Sequence, residues 1–270
     1  MKIGIFDSGF GGLTILKEIK SRMPEYSYMY LGDNARAPYG TRSFDTIYKY
    51  TLQAVEKLFS LDCHLVILAC NTASAKALRS IQQNDLPKFG AAKRVLGIIR
   101  PCTEIAGQLT NTNSLGICAT AGTVSSKSYE IEIEKLFPSV NVVSHACPLW
   151  VPLVENGEAQ SAGADFFVKQ EIDALLRKNS EIDTILLACT HYPLLFEKIR
   201  KHTPAHIRIV NQGGIVAESL YKYLQKHPEI EQQCEKHGEI QFFTTENSEH
   251  FNAIASLFWG GEIRSETLEL

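Results

Sequence analysis

Residues 65–72 read Leu-Val-Ile-Leu-Ala-Cys-Asn-Thr, and residues 184–191 read Thr-Ile-Leu-Leu-Ala-Cys-Thr-His. Cys70 and Cys189 occupy the same place in the two copies. Each copy is an apolar run of β-formers that ends at Ala-Cys and is followed by a helix-like segment, 73–83 in the first and 194–201 in the second. A short, wholly apolar strand feeding a helix is the pattern of a parallel strand buried on both faces. Ligands of open α/β sheets gather at the carboxyl ends of such strands, so both cysteines are expected there, beside the orphan N–H groups of the next helix. Asn71, Thr72 and Thr190 are good capping types, and Pro193 suits a first helical turn. A small thiol can also simply pack beneath a helix. Two cysteines in one repeated context, each followed by polar residues, favour a paired chemical role.

Composition sets the limits. The chain has 270 residues, 44 % hydrophobic and 21 % charged, with a formal net charge of −3. That is an ordinary globular composition, long enough for two modest cores. The charge leaves no footprint for nucleic acid or an anionic membrane. No apolar stretch reaches spanning length, and the start runs directly into a strand, so a cytoplasmic location is expected. The seven cysteines are scattered and include no C-x-x-C, which argues against a disulfide scaffold or a thioredoxin-like redox site. Cys63-His64 lacks a second pair at zinc spacing, so no metal is expected.

Outward from the two octapeptides, strands are expected at 2–6, 28–32, 95–99, 114–120, 140–144, 207–210 and 239–244. Helices are expected at 13–23, 44–60, 102–109, 127–137, 162–178, 215–225 and 248–258, with loops at 121–126 and a Gly213-Gly214 turn. Between the first strand and helix stands Asp7-Ser8-Gly9-Phe10-Gly11-Gly12. It is not G-x-G-x-x-G, no Lys-Ser/Thr follows, and Asp7 would repel phosphate, so a nucleotide loop is disfavoured. Asp7 is either a turn-former or a strand-end carboxylate aimed at a ligand. The fold class is α/β: two similar, pseudo-symmetric lobes, each a mostly parallel sheet flanked by helices, with the active site in the cleft between them. The expected boundaries put 1–97 plus 208–270 in a discontinuous first lobe carrying Cys70, and 98–207 in a second carrying Cys189.

Two facing thiols without metal or redox couple suit a proton transfer that inverts a stereocentre, one sulfur removing a proton from carbon while the other supplies one. A free thiol of pKa about 8.5 is only slightly ionised at neutral pH, so a nearby base is needed. Asp7 for Cys70 and His191 for Cys189 are the available acceptors.

The blocks Asp7–Leu13, Pro38-Tyr39-Gly40, Cys70–Ser74, Gly122-Thr123-Val124 with Ser126, Cys147-Pro148-Leu149 through Val154-Glu155, and Cys189–Pro193 resemble those of the glutamate racemases, in the cofactor-independent aspartate/glutamate racemase superfamily. The resemblance implies an isomerase that interconverts L- and D-glutamate and supplies D-glutamate for peptidoglycan. It implies that Cys189 faces the α-hydrogen of the L-enantiomer and Cys70 that of the D-enantiomer. Asp7, Ser8, Tyr39, Gly40, Asn71, Thr72, Thr190 and His191 would line the substrate pocket, with Thr120 and Thr123 as further carboxylate contacts and Glu155 orienting His191. It implies no cofactor and a homodimer. Among relatives, response to a cell-wall precursor nucleotide and contact with DNA gyrase occur, and no residue of this chain selects either. Many relatives carry Asp where this chain has Asn211. A racemase of aspartate or another acidic substrate, and a non-catalytic amino-acid-binding relative, are the alternatives.

Overall fold

The computed structural model describes residues 1–270. Ten strands run in chain order: β1 Ile3–Asp7, β2 Tyr28–Gly32, β3 Leu65–Leu68, β4 Arg94–Gly97, β5 Ser114–Ala119, β6 Asn141–Ala146, β7 Thr184–Ala188, β8 Arg208–Asn211, β9 Ile240–Thr244 and β10 Ser265–Thr267. The chain divides into two compact units, Met1–Ile98 with Gly213–Leu270, and Ile99–Gln212. No helix is long and apolar enough to cross a membrane.

The first unit is built on a six-stranded sheet of order β10-β9-β2-β1-β3-β4, parallel at every pairing. Every residue of β1, β2 and β3 is buried, as continuous apolar strands covered on both faces must be. Helix α1, Gly12–Arg22, buries Leu13, Ile15, Leu16 and Ile19. Helix α2, Phe44–Ser60, buries Ile47, Thr51, Ala54, Val55, Leu58 and Phe59, one stripe at helical period. Ser43 caps it, its side chain accepting from the Thr46 N–H.

The second unit holds a four-stranded parallel sheet of order β6-β5-β7-β8. Its order matches β2-β1-β3-β4 of the first unit, strand for strand. In both, the chain starts in the middle, pairs to one side, then crosses to the other. That reversal is the topological switch point at which α/β sheets collect ligands. Cys70 follows β3 and Cys189 follows β7, the equivalent strands.

Several expectations are corrected. The strand expected at 207–210, assigned to the first lobe by the boundary at 208, is β8, and it pairs with β7 in the second sheet. The return to the first unit therefore comes after Gln212. Gly213 and Gly214 do not form a turn but begin helix Gly213–Lys226. The segment 121–126 is not a loop but a short helix, Ala121–Ser126, which Lys127 ends in the left-handed region at φ 53°. The helix expected over 73–83 is broken into Asn71–Lys76, Leu78–Ser80 and a π turn, Ile81–Asp85. Helix Trp150–Glu155 and strand β10 have no counterpart among the expected elements.

Candidate active site

In the first unit the site residues come from the carboxyl ends of neighbouring strands. Asp7 ends β1 and pairs in register with Gly32 of β2, while β3 lies on its other side. The Asp7 carboxylate accepts the Gly9 N–H at 2.9 Å, so Asp7 does shape the turn. Tyr30 clamps the same loop from β2, its hydroxyl donating to Gly9 O at 2.9 Å. The start of α1 then packs directly on Asp7. A Cβ added at Gly12 would lie 2.6 Å from Asp7 Cβ and 3.1 Å from Ala69 Cβ, so glycine is required there for the helix to approach the strand end.

Cys70 is 6 % exposed. It is itself the cap of helix Asn71–Lys76, with the Ala73 N–H directed at Sγ at 3.4 Å. This differs from the expected capping by Asn71 or Thr72, which instead form the first helical turn and are buried. The Ser8 hydroxyl also reaches Cys70 Sγ, at 3.4 Å. A backbone N–H and a hydroxyl on one sulfur are contacts that a thiolate accepts well. Tyr39 is buried in the same core cluster as Cys70, Ala73 and Phe6, and Gly40 beside it is half-buried.

In the second unit Cys189, also 6 % exposed, follows β7, and Thr120 stands at the end of the adjacent β5 through the register Ala119↔Ala188. His191 Nδ1 lies 3.9 Å from Cys189 Sγ, and His191 Nε2 lies 2.9 Å from Glu155 Oε1. Burial disfavours the charged imidazole, but the hydrogen bonds to Cys189 and Glu155 outweigh it and push the His191 pKa up to about 10. An imidazolium thus stands between a sulfur and a carboxylate. Glu155 reaches it from the end of helix Trp150–Glu155, whose Trp150 packs edge-on against Tyr192 at 4.8 Å. Tyr192 in turn donates to Cys147 O at 3.2 Å. These contacts tie the element after β6 to the element after β7.

Thr120 caps Ala121–Ser126, accepting from the Thr123 N–H at 3.3 Å, and its hydroxyl donates to Thr123 Oγ1 at 3.1 Å. Thr190 is not at the N-cap position of the helix that follows. His191 holds the N-cap position of the short helix Tyr192–Leu195 without a side-chain cap bond, and Pro193 lies in its first turn. Within the first unit Ser8 contacts Cys70, and Asn71 and Thr72 lie in the helix that Cys70 caps; within the second, Cys189, His191 and Glu155 form one line of contacts and Thr120 and Thr123 a separate pair. Sequence reasoning passed over Asp33, to which Tyr39 is hydrogen-bonded. The available signal was its place, a carboxylate directly after a buried strand, as Asp7 is.

The Asp/Glu/Hydantoin racemase family matches residues 14–220. A glutamate racemase of Persephonella marina is 39 % identical over 271 residues, covering 100 % of this chain and 98 % of that protein. The crystal structure of a glutamate racemase isoform from Bacillus anthracis superposes with a TM-score of 0.90 at 34 % identity, covering 100 % of this chain and 97 % of that one. The glutamate racemase from Francisella tularensis, solved in complex with D-glutamate, gives a TM-score of 0.87 at 31 % identity over 99 % and 97 % of the two chains. With two equivalent strand ends bearing equivalent thiols, and relatives that match it end to end, this chain belongs to the Asp/Glu/Hydantoin racemase family.

Proposed function

We propose that the protein is a glutamate racemase that interconverts L- and D-glutamate by moving one proton at Cα, with Cys189 and Cys70 as the two acid/base groups. The observation that carries this reading is the equivalence of the two sulfurs. Each follows the same strand of a like-ordered sheet, and each has its own polar partners.

Starting from L-glutamate, the Cys189 thiolate, paired with the His191 imidazolium, takes the α-proton. The Cys70 thiol delivers a proton to the opposite face, and its new thiolate is received by the Ser8 hydroxyl and the Ala73 N–H. The reverse reaction exchanges the roles. Such chemistry requires both sulfurs to reach one α-carbon from opposite faces. Glu155 holds His191 oriented and charged, so the sulfur beside it can be an anion without a metal. Hydroxyl, amide and backbone groups of Ser8, Tyr39, Gly40, Asn71, Thr72, Thr120, Thr123 and Thr190, with Asp7, line the substrate; donors aimed where charge develops at the carboxylate stabilise a carbanionic transition state. No pyridoxal group or metal is needed, because the thiols supply both the base and the acid. The enzyme acts in the cytoplasm as a homodimer and supplies D-glutamate for peptidoglycan.

The test is to incubate purified protein with L-glutamate, D-glutamate and each enantiomer of aspartate, after exhaustive dialysis against chelator and treatment with hydroxylamine. Both glutamate enantiomers are expected to approach the racemate at undiminished rate. Activity confined to aspartate would overturn the substrate, and activity lost to chelator or hydroxylamine would overturn the cofactor-free mechanism.

A further inference from the structure

Asp33 follows β2 and is fully buried. Its Oδ2 accepts from the Tyr39 hydroxyl and from Arg36 Nε at 2.7 Å. Its Oδ1 accepts from the Thr245 hydroxyl at 2.9 Å, just beyond β9. Its backbone N–H donates to Asp7 O at 2.9 Å. Arg36 is fixed in turn, donating to Gln53 Oε1 at 2.5 Å on α2 and lying 4.2 Å over the Tyr50 ring. A buried carboxylate is costly unless its oxygens are paired and hydrogen-bonded. Here three side chains converge on it, Arg36 and Tyr39 from the segment after β2 and Thr245 from just beyond β9.

Burial, and next the charge of Asp33, hold the Tyr39 phenol far above its ordinary pKa, so it stays a donor. Its proton is committed to Asp33, which leaves the backbone N–H groups of Tyr39 and Gly40 as the donors this segment offers a ligand. Neither donates to an acceptor within the protein. We propose that Asp33 is a positioning residue for substrate: through the Tyr39 hydroxyl it fixes the backbone at residues 39–40, and Arg36 and Thr245 fix Asp33, so that these two N–H groups keep one geometry for a substrate carboxylate. This rests on the reading of Tyr39 and Gly40 as substrate contacts.

The test measures steady-state kinetics of glutamate racemisation for wild type, Asp33→Asn, Tyr39→Phe and the double variant. Asparagine keeps the volume but turns an amide NH2 toward donors. Asp33→Asn and Tyr39→Phe are each expected to raise KM about ten-fold with kcat within about three-fold, the size of one lost buried hydrogen bond expressed in binding. The double variant is expected to be no worse than the poorer single one, since both act through one contact. Lower kcat at unchanged KM, the mark of a smaller folded fraction, or effects that multiply in the double variant, would overturn the inference. If Asp33→Asn does not fold, Thr245→Val removes one support while leaving Tyr39 on the carboxylate. It is expected to raise KM about two- to three-fold, and an unchanged KM would overturn the inference. Wild-type protein inactive on glutamate would instead overturn the racemase reading, and with it this inference.

Discussion

His191 carries the clearest electrostatic signature in the molecule. Its folded pKa of about 10 stands above the ordinary histidine value of about 6.5, so the folded state binds this proton more tightly than the unfolded chain. The stabilisation is fully present below about pH 6.5 and is lost as pH rises through about 10. The urea midpoint of wild type should therefore exceed that of His191→Gln most at low pH, with the gap closing across that window. Glu155→Gln keeps the imidazole and an acceptor oxygen but removes the carboxylate's charge, and it should close part of the same gap. A gap that stays constant from pH 6 to 10 would show that His191 is not held as a cation. The two residues flanking this site were found in the sequence for different reasons. His191 stands beside Cys189 in the repeat, whereas Glu155, 36 residues away, came only from the resemblance. Contacts that distant leave no trace in spacing or periodicity.

At the scale of elements, Gly12 is the tightest join between a helix and a site residue. With Asp7 Cβ only 2.6 Å from where a Cβ would stand, Gly12→Ala must move α1 or Asp7. An overpacked contact of this kind costs about 1–3 kcal/mol. Chemical denaturation should show a loss in that range, together with a fall in racemisation larger than Gly214→Ala produces, since that position has open space around it. Equal effects of the two would contradict the role given to Gly12. Helices with full periodicity and a serine cap, such as Phe44–Ser60 and Ala162–Lys178, were readable from sequence to the residue. Ala121–Ser126 was not, because Gly-Thr-Val-Ser-Ser is poor helix-forming sequence. The Thr120 cap and the burial of Gly122 and Thr123 accompany the turn there, and neither is visible locally. Cys70 as its own helix cap was hidden for the same reason: sulfur is not a residue type that capping rules look for.

At the scale of the whole molecule, the repeated octapeptide reports a repeated topology. The orders β2-β1-β3-β4 and β6-β5-β7-β8 make β3 and β7 equivalent, and this was legible because both are short apolar runs ending at Ala-Cys. The fourth strand of the second sheet was assigned to the wrong lobe because β8 is partly exposed and lies next to the return crossover. Its apolar pattern says strand, but not which sheet. Pairing partners are set by packing far along the chain, which also explains why the three-residue edge strand β10 escaped notice.

In the proposed mechanism two sulfurs act on opposite faces of one carbon. The most direct measurement is racemisation of L-glutamate in D₂O, followed at early times by mass and chirality, for wild type, Cys70→Ser and Cys189→Ser. Wild type should yield D-glutamate that carries α-deuterium from the first turnover, while the remaining L-glutamate stays protiated. Each serine variant should lose racemisation by about 10²-fold or more, the usual contribution of one acid or base. D-glutamate that keeps the original hydrogen, or either variant racemising at the wild-type rate, would contradict the two-thiol account.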